Sequence, residues 1–100
     1  MSKTRVLYVE DEEVLAMLVR DHLERNGFEV HWVANGNEAE AIFREVKPDL
    51  CILDIMLPGL SGYEIGKVIR TIDKAVPIIF LKARSESKDV VEGFKSGGND

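Results

Sequence analysis

The 100-residue chain has one cysteine, Cys51, which excludes an internal disulfide and gives no sign of an oxidising compartment. It has no apolar stretch long enough to span a bilayer, and its start, MSKTRVLYVE, lacks the apolar centre of a signal peptide. No membrane partner is expected, and a cytoplasmic location is the default. Positive charge is in deficit. With 13 Lys and Arg against 18 Asp and Glu, the net charge of −5 argues against direct contact with nucleic-acid phosphates. Gly36, Gly59 and Gly62 form neither a G-x-G-x-x-G nor a P-loop pattern, so nucleotide binding has no motif support. His22 and His31 have no metal-ligand spacing to another His or Cys. There is no internal repeat, linker or low-complexity segment.

What is present is an ordinary soluble composition, 45% apolar and 31% charged, at single-domain length. Such a chain can bury roughly two thirds of its unfolded surface around one core. Four short apolar runs read as strands: Arg5–Val9, Phe28–Val33, Asp49–Asp54 and Pro77–Leu81. Helical spacing fills the gaps. Val14, Leu15, Leu18, Val19 and Leu23 mark a first apolar face, stopped by Asn26-Gly27. Ala39, Ile42, Phe43 and Val46 mark a second, closed by Lys47-Pro48. Ile65, Val68, Ile69 and Ile72 mark a third, opened by a capping box from Ser61 to Glu64. Val90, Val91 and Phe94 mark a fourth, stopped by Gly97-Gly98.

Strand and helix alternate, which predicts an α/β fold: a parallel sheet with helices on both faces. Function then gathers at the carboxyl ends of the strands. Those ends carry Glu10-Asp11, Asp54 and Lys82, while the second strand ends in Ala34-Asn35. The last residues, KSGGND, close a helix with no fifth strand after them. The expectation is one domain over residues 1–100, incomplete at its C-terminus, with no second domain in the chain. Its apolar fourth strand would be an edge that invites self-association.

Asp54 ends a strand of Leu50, Cys51, Ile52 and Leu53, so its charge belongs at the rim of the sheet. If the first and third strands are neighbours, Glu10, Asp11 and Asp54 converge. Carboxylates that close raise one another's pKa unless a cation sits between them. Mg²⁺ suits the set, being a hard ion that takes one to three carboxylates. It would bridge phosphoryl oxygens and leave one carboxylate oxygen as an in-line nucleophile. The plainer alternative is that Glu10 and Asp11 only complement the first helix dipole.

With these residues in view, the segments VLYVEDE, PDLCILDIMLPGLSGYE and VPIIFLKARSESKDVVEGFKSGGND resemble the receiver domain of two-component response regulators. The details of MLPGLSGYE and EGFKSGGND are similar to the OmpR-type winged-helix transcription factor class. The resemblance implies a flavodoxin-like doubly wound sheet of order 2-1-3-4-(5), with the fifth strand and fifth helix absent from this chain. It implies transfer of a phosphoryl group from a sensor histidine kinase to Asp54, with Mg²⁺ on Glu10, Asp11, Asp54 and the Met56 backbone carbonyl. It implies output through a missing DNA-binding domain, and it leaves room for a homodimer. The module would not itself be an enzyme. An aspartate-nucleophile phosphatase would want a second acid two residues past the nucleophile, where this chain has Met56.

One position departs from the family. Lys82 stands where the resemblance implies a switch Thr or Ser, and the family's later Lys-Pro motif lies past Asp100. Three readings stay open: Lys82 pairs with Asp54 in competition with Mg²⁺, reaches out to water, or replaces the distal lysine as a phosphoryl ligand. A pseudo-receiver that works without phosphorylation is the matching alternative function. Cys51, Phe28 and Trp32 read as packing residues.

Overall fold

The computed structural model describes residues 3–57 and 60–81. The chain runs β1 (Arg5–Val9), α1 (Glu13–Arg25), β2 (Glu29–Val33), a 3-10 turn (Gly36–Glu38), α2 (Ala39–Val46), β3 (Leu50–Asp54), α3 (Gly62–Ile72) and β4 (Ile78–Leu81). The strands form one parallel sheet in the order β2-β1-β3-β4. The crossover pattern reverses at β1, so β1 and β3 lie side by side, as the switch-point argument requires. Lys82, Pro58, Gly59 and the fourth helix with Val90, Val91 and Phe94 lie outside the described residues.

Strand alternation sorts the side chains onto two faces. Leu7, Val9, Val33, Leu53, Ile78 and Phe80 meet Phe43 of α2 and Ile65 and Ile69 of α3. Val6, Tyr8, Val30 and Ile52 meet Ala16 of α1 on the other face. Each fully buried large side chain adds roughly 1.5–3 kcal/mol. Cys51 is buried among them, and burial pushes its thiol up to about 12, so it is inert packing.

The helix boundaries follow local chemistry. Ser61 and Glu64 form the expected reciprocal capping box at the start of α3. α2 ends where Lys47 turns left-handed, with φ of 53°, just before Pro48. Gly27, at φ of 92°, turns the chain out of α1. Three predicted strands begin one residue later than expected, at Glu29, Leu50 and Ile78. At the first of these places, the Phe28 amide is still bonded to the Leu23 carbonyl of α1.

The apolar face predicted for α1 needs correction. Val14 and Leu18 are 73% and 64% exposed, and only Ala16 of that helix is buried. Val19 and Leu23 pack partly against the sheet. Between α1 and the sheet lies an apolar groove floored by Ile52, Ile79 and Leu81. The 3.6-residue spacing identified an amphipathic helix, but which part of its stripe meets the sheet depends on how the helix is rotated about its axis.

Candidate functional site

Glu10 follows β1 directly, and its amide donates to the Val33 carbonyl at 3.0 Å, extending the ladder one residue past the strand. Asp54 is the last residue of β3 and stands opposite Leu81. Because β1 and β3 are adjacent and in register from Val6–Leu50 to Val9–Leu53, both acids emerge at the same rim. Glu10 is fully buried and Asp54 is 1% exposed, while Asp11 is exposed above them. One carboxylate oxygen from each of Glu10, Asp11 and Asp54 lies within 4.8 Å of the others. The three predicted acids therefore converge.

Local hydrogen bonds aim these groups. Asp54 Oδ1 accepts the Met56 amide at 3.0 Å, which fixes the carboxylate over the turn that leaves β3. Met56 keeps its side chain in solvent. Glu10 Oε2 accepts the Glu12 amide at 3.1 Å, and Oε1 accepts the Tyr8 hydroxyl at 3.4 Å. The plainer reading of Glu10 is thus partly right: it does satisfy an amide at the approach to α1. That amide belongs to Glu12, at the N-cap position of α1.

The electrostatics of the cluster are set by burial and by the proximity of its acids. Burial, then the nearby Asp54 and Asp11 carboxylates, raise Glu10 from the usual 4.5 to about 7 against the lowering pull of the Glu12 amide. Asp54 is also raised, chiefly by burial and then by Asp11 and Glu12, although the Met56 amide and a hydrogen bond with Glu10 pull it down. Both buried carboxyls are thus pushed upward by burial and by their acidic neighbours. Burial and the adjacent Glu10 raise the Tyr8 phenol as well, so it stays a donor at neutral pH.

Three residues around the site were missed by sequence reasoning. Gly62 starts α3 directly against the backbone of Asp54: a Cβ there would strike the Asp54 carbonyl oxygen and meet the Ile55 Cα at 2.9 Å. The Gly62 amide donates to the Ile55 carbonyl. No sequence signal beyond the glycine itself marks that approach. Tyr8 was legible in principle, since it sits two residues before Glu10 and so shares its side of the strand. Trp32 was read as packing only, yet its indole Nε1 donates to the Glu10 backbone carbonyl at 2.8 Å. The Tyr8–Trp32 register that brings it there is a tertiary fact.

Among the described residues, neither His22 nor His31 belongs to the group of converging potential metal ligands. His31 Nε2 lies 2.6 Å from Glu29 on the edge strand, and this contact lowers Glu29 below the usual carboxylate range. A cleft of about 500 Å³ lies at the opposite end of the sheet, lined by Phe43, Arg44, Lys47, Pro48 and Asp73. No residue of the acid cluster reaches it.

Comparison with known proteins agrees with this geometry. Residues 6–100 match the family described as the response regulator receiver domain. The chain is 45% identical over 98 residues to the phosphate regulon transcriptional regulatory protein PhoB of Rhizobium meliloti (strain 1021), covering 96% of this chain and 43% of that protein. It is 39% identical over 98 residues to the DNA-binding response regulator MtrA of Mycolicibacterium smegmatis, covering 98% and 42%. The non-phosphorylated HemR receiver domain from Leptospira biflexa superimposes with a TM-score of 0.81 at 33% identity, covering 96% of this chain and 77% of that one. The chain therefore spans less than half the length of the curated relatives it matches.

Proposed function

Because the chain belongs to the response regulator receiver domain family, we propose that it accepts a phosphoryl group on Asp54 from the phosphohistidine of a sensor kinase. Its curated relatives are OmpR- and PhoB-type DNA-binding response regulators. We further propose that the signal leaves for a DNA-binding output domain outside this chain, and that residues 1–100 act as its receiver domain.

One observation carries the reading: two buried carboxylates and one exposed carboxylate meet within 4.8 Å at the carboxyl end of adjacent parallel strands. The donor set fits Mg²⁺. Its atoms are hard oxygens, and the burial and acidic neighbours that push Glu10 and Asp54 upward are a cost that a cation between them would offset. Glu10, Asp11, Asp54 and the Met56 carbonyl would hold the ion. When bound, it neutralises charge on the phosphoryl oxygens during transfer.

The chain's own groups do the rest. Asp54 supplies a carboxylate oxygen that attacks phosphorus, forming the O–P bond as the P–N bond to imidazole breaks. The leaving nitrogen keeps the electron pair. The Met56 amide orients the attacking carboxylate, and burial of Asp54 limits its hydration. Glu10 must be ionised for the site to work, so neutral or higher pH favours loading.

The test is incubation of the full chain with MgCl₂ and a small phosphodonor such as acetyl phosphate, followed by intact mass measurement. We expect one added phosphoryl group that is labile to base, and none in Asp54→Asn. Unmodified wild-type protein under these conditions overturns the reading. Nothing among the described residues favours the pseudo-receiver alternative, and Lys82, which prompted it, lies outside them.

A further inference from the structure

Every polar group of Glu10 has an assigned partner. Its amide donates to Val33, and its backbone carbonyl accepts the Trp32 indole N–H. Its two carboxylate oxygens accept the Tyr8 hydroxyl and the Glu12 amide. Tyr8 is fully buried, with its ring among Val6, Ala16, Val30 and Ile52, so its hydroxyl emerges from the α1-side core directly beneath the acid. Among the described residues Glu10 is the one hydrogen-bond partner recorded for that hydroxyl. Tyr8 and Trp32 are cross-strand neighbours in register. Together they grip Glu10 from below, one at the side chain and one at the backbone.

We propose that Tyr8 and Trp32 are positioning residues that set the Glu10 carboxylate for a divalent cation and make the site prefer Mg²⁺ over Ca²⁺. The inference rests on the Mg²⁺ reading above and concerns how this chain tunes that site. Mg²⁺ demands near-octahedral geometry at short distances, whereas Ca²⁺ accepts varied and bidentate carboxylates. A glutamate free to rotate therefore favours the larger ion, and one fixed through both oxygens favours the smaller. The Tyr8 hydroxyl stands 3.4 Å from Oε1, a loose contact that limits rotation of the carboxylate while leaving it room to adjust on binding. Partners behind a metal ligand commonly change metal affinity by about 10- to 100-fold when removed.

Trp32 also provides the readout. It is the only tryptophan of the chain, and its indole N–H is bonded to the residue that would take the cation. Its emission should change on metal binding.

The experiment is calorimetric titration of the full chain with MgCl₂ and separately with CaCl₂, using wild type, Tyr8→Phe and Trp32→Phe. Trp32 emission is followed in parallel for the first two, and thermal melts without metal are recorded for all three. Wild type should bind Mg²⁺ with a change in emission. Tyr8→Phe should melt as a folded protein yet bind Mg²⁺ about tenfold more weakly, with Ca²⁺ affinity changed less. Trp32→Phe should lose Mg²⁺ affinity in the same direction. Equal loss of both cations would mark a general structural effect and overturn the proposal, as would wild-type affinity in Tyr8→Phe. If Tyr8→Phe does not fold, Trp32→Phe carries the same decision. A wild-type protein that binds no Mg²⁺ overturns the metal site itself, and the inference with it.

Discussion

The two ends of the sheet manage charge in opposite ways. At the carboxyl end, Glu10 and Asp54 are buried against each other with no cationic side chain bonded to them among the described residues. At the amino end, polar groups are tied off. The Arg5 amide donates to Asp49 and its guanidinium to the Val46 carbonyl. Arg70 donates to the carbonyls of Asp73 and Val76, and Asp73 in turn accepts the Ala75 and Val76 amides. One end spends stability to keep acids together, and the other holds the helix and strand ends in place. The difference fits the proposed site, because two carboxyls buried together cost free energy that packing alone does not offset.

The sharpest way to break this arrangement is Gly62→Ala. The new Cβ would strike the Asp54 backbone, so α3 or the end of β3 must shift. We expect a loss of about 3 kcal/mol in denaturant unfolding, with weaker Mg²⁺ binding. A loss below roughly 0.5 kcal/mol, the range of neutral surface changes, would show that the approach is not tight.

The next effect should be a gain. Glu10 binds its proton more tightly when folded than when unfolded, so its burial cost is absent below about pH 4.5 and complete above about pH 7. Without divalent cations, stability should fall as pH rises through that window. Glu10→Gln should then stabilise the protein by roughly 2 kcal/mol at pH 8 and leave it nearly unchanged at pH 4. Melts across pH that run parallel for the two proteins would contradict the stored repulsion.

At the amino end the same logic predicts a loss. Arg70→Met removes a charged donor from two carbonyls and should cost about 1.5 kcal/mol with no change in Mg²⁺ affinity. A matching fall in metal binding would mean that the two ends are coupled. The smallest effect belongs to Lys47, whose left-handed backbone suits glycine. Lys47→Gly should be stabilising by about 0.5 kcal/mol, measured by denaturant midpoint. A loss would show that its side chain does more than sit in solvent.

Much of this molecule was legible in order and type. Short apolar runs located all four described strands, and the Ser61–Glu64 spacing identified the cap of α3. Glu10, Asp11 and Asp54 were identifiable because they stand at strand ends that the switch-point rule brings together. The α1 face was misread at Val14 and Leu18, since helical spacing cannot fix the rotation of a helix against a sheet. Lys82, the position that departs from the family, lies outside the described residues.

By itself the sequence determined the alternation of strand and helix, and with it the end of the sheet at which acids would gather. Those are local consequences of side-chain periodicity, capping and turn residues. Only the tertiary structure decided that Tyr8 and Trp32 face each other across β1 and β2, that Gly62 rests on the Asp54 carbonyl, and that Glu10 is sealed from water. Each depends on strand register or on the close packing of segments distant in the chain, which no single stretch of residues encodes.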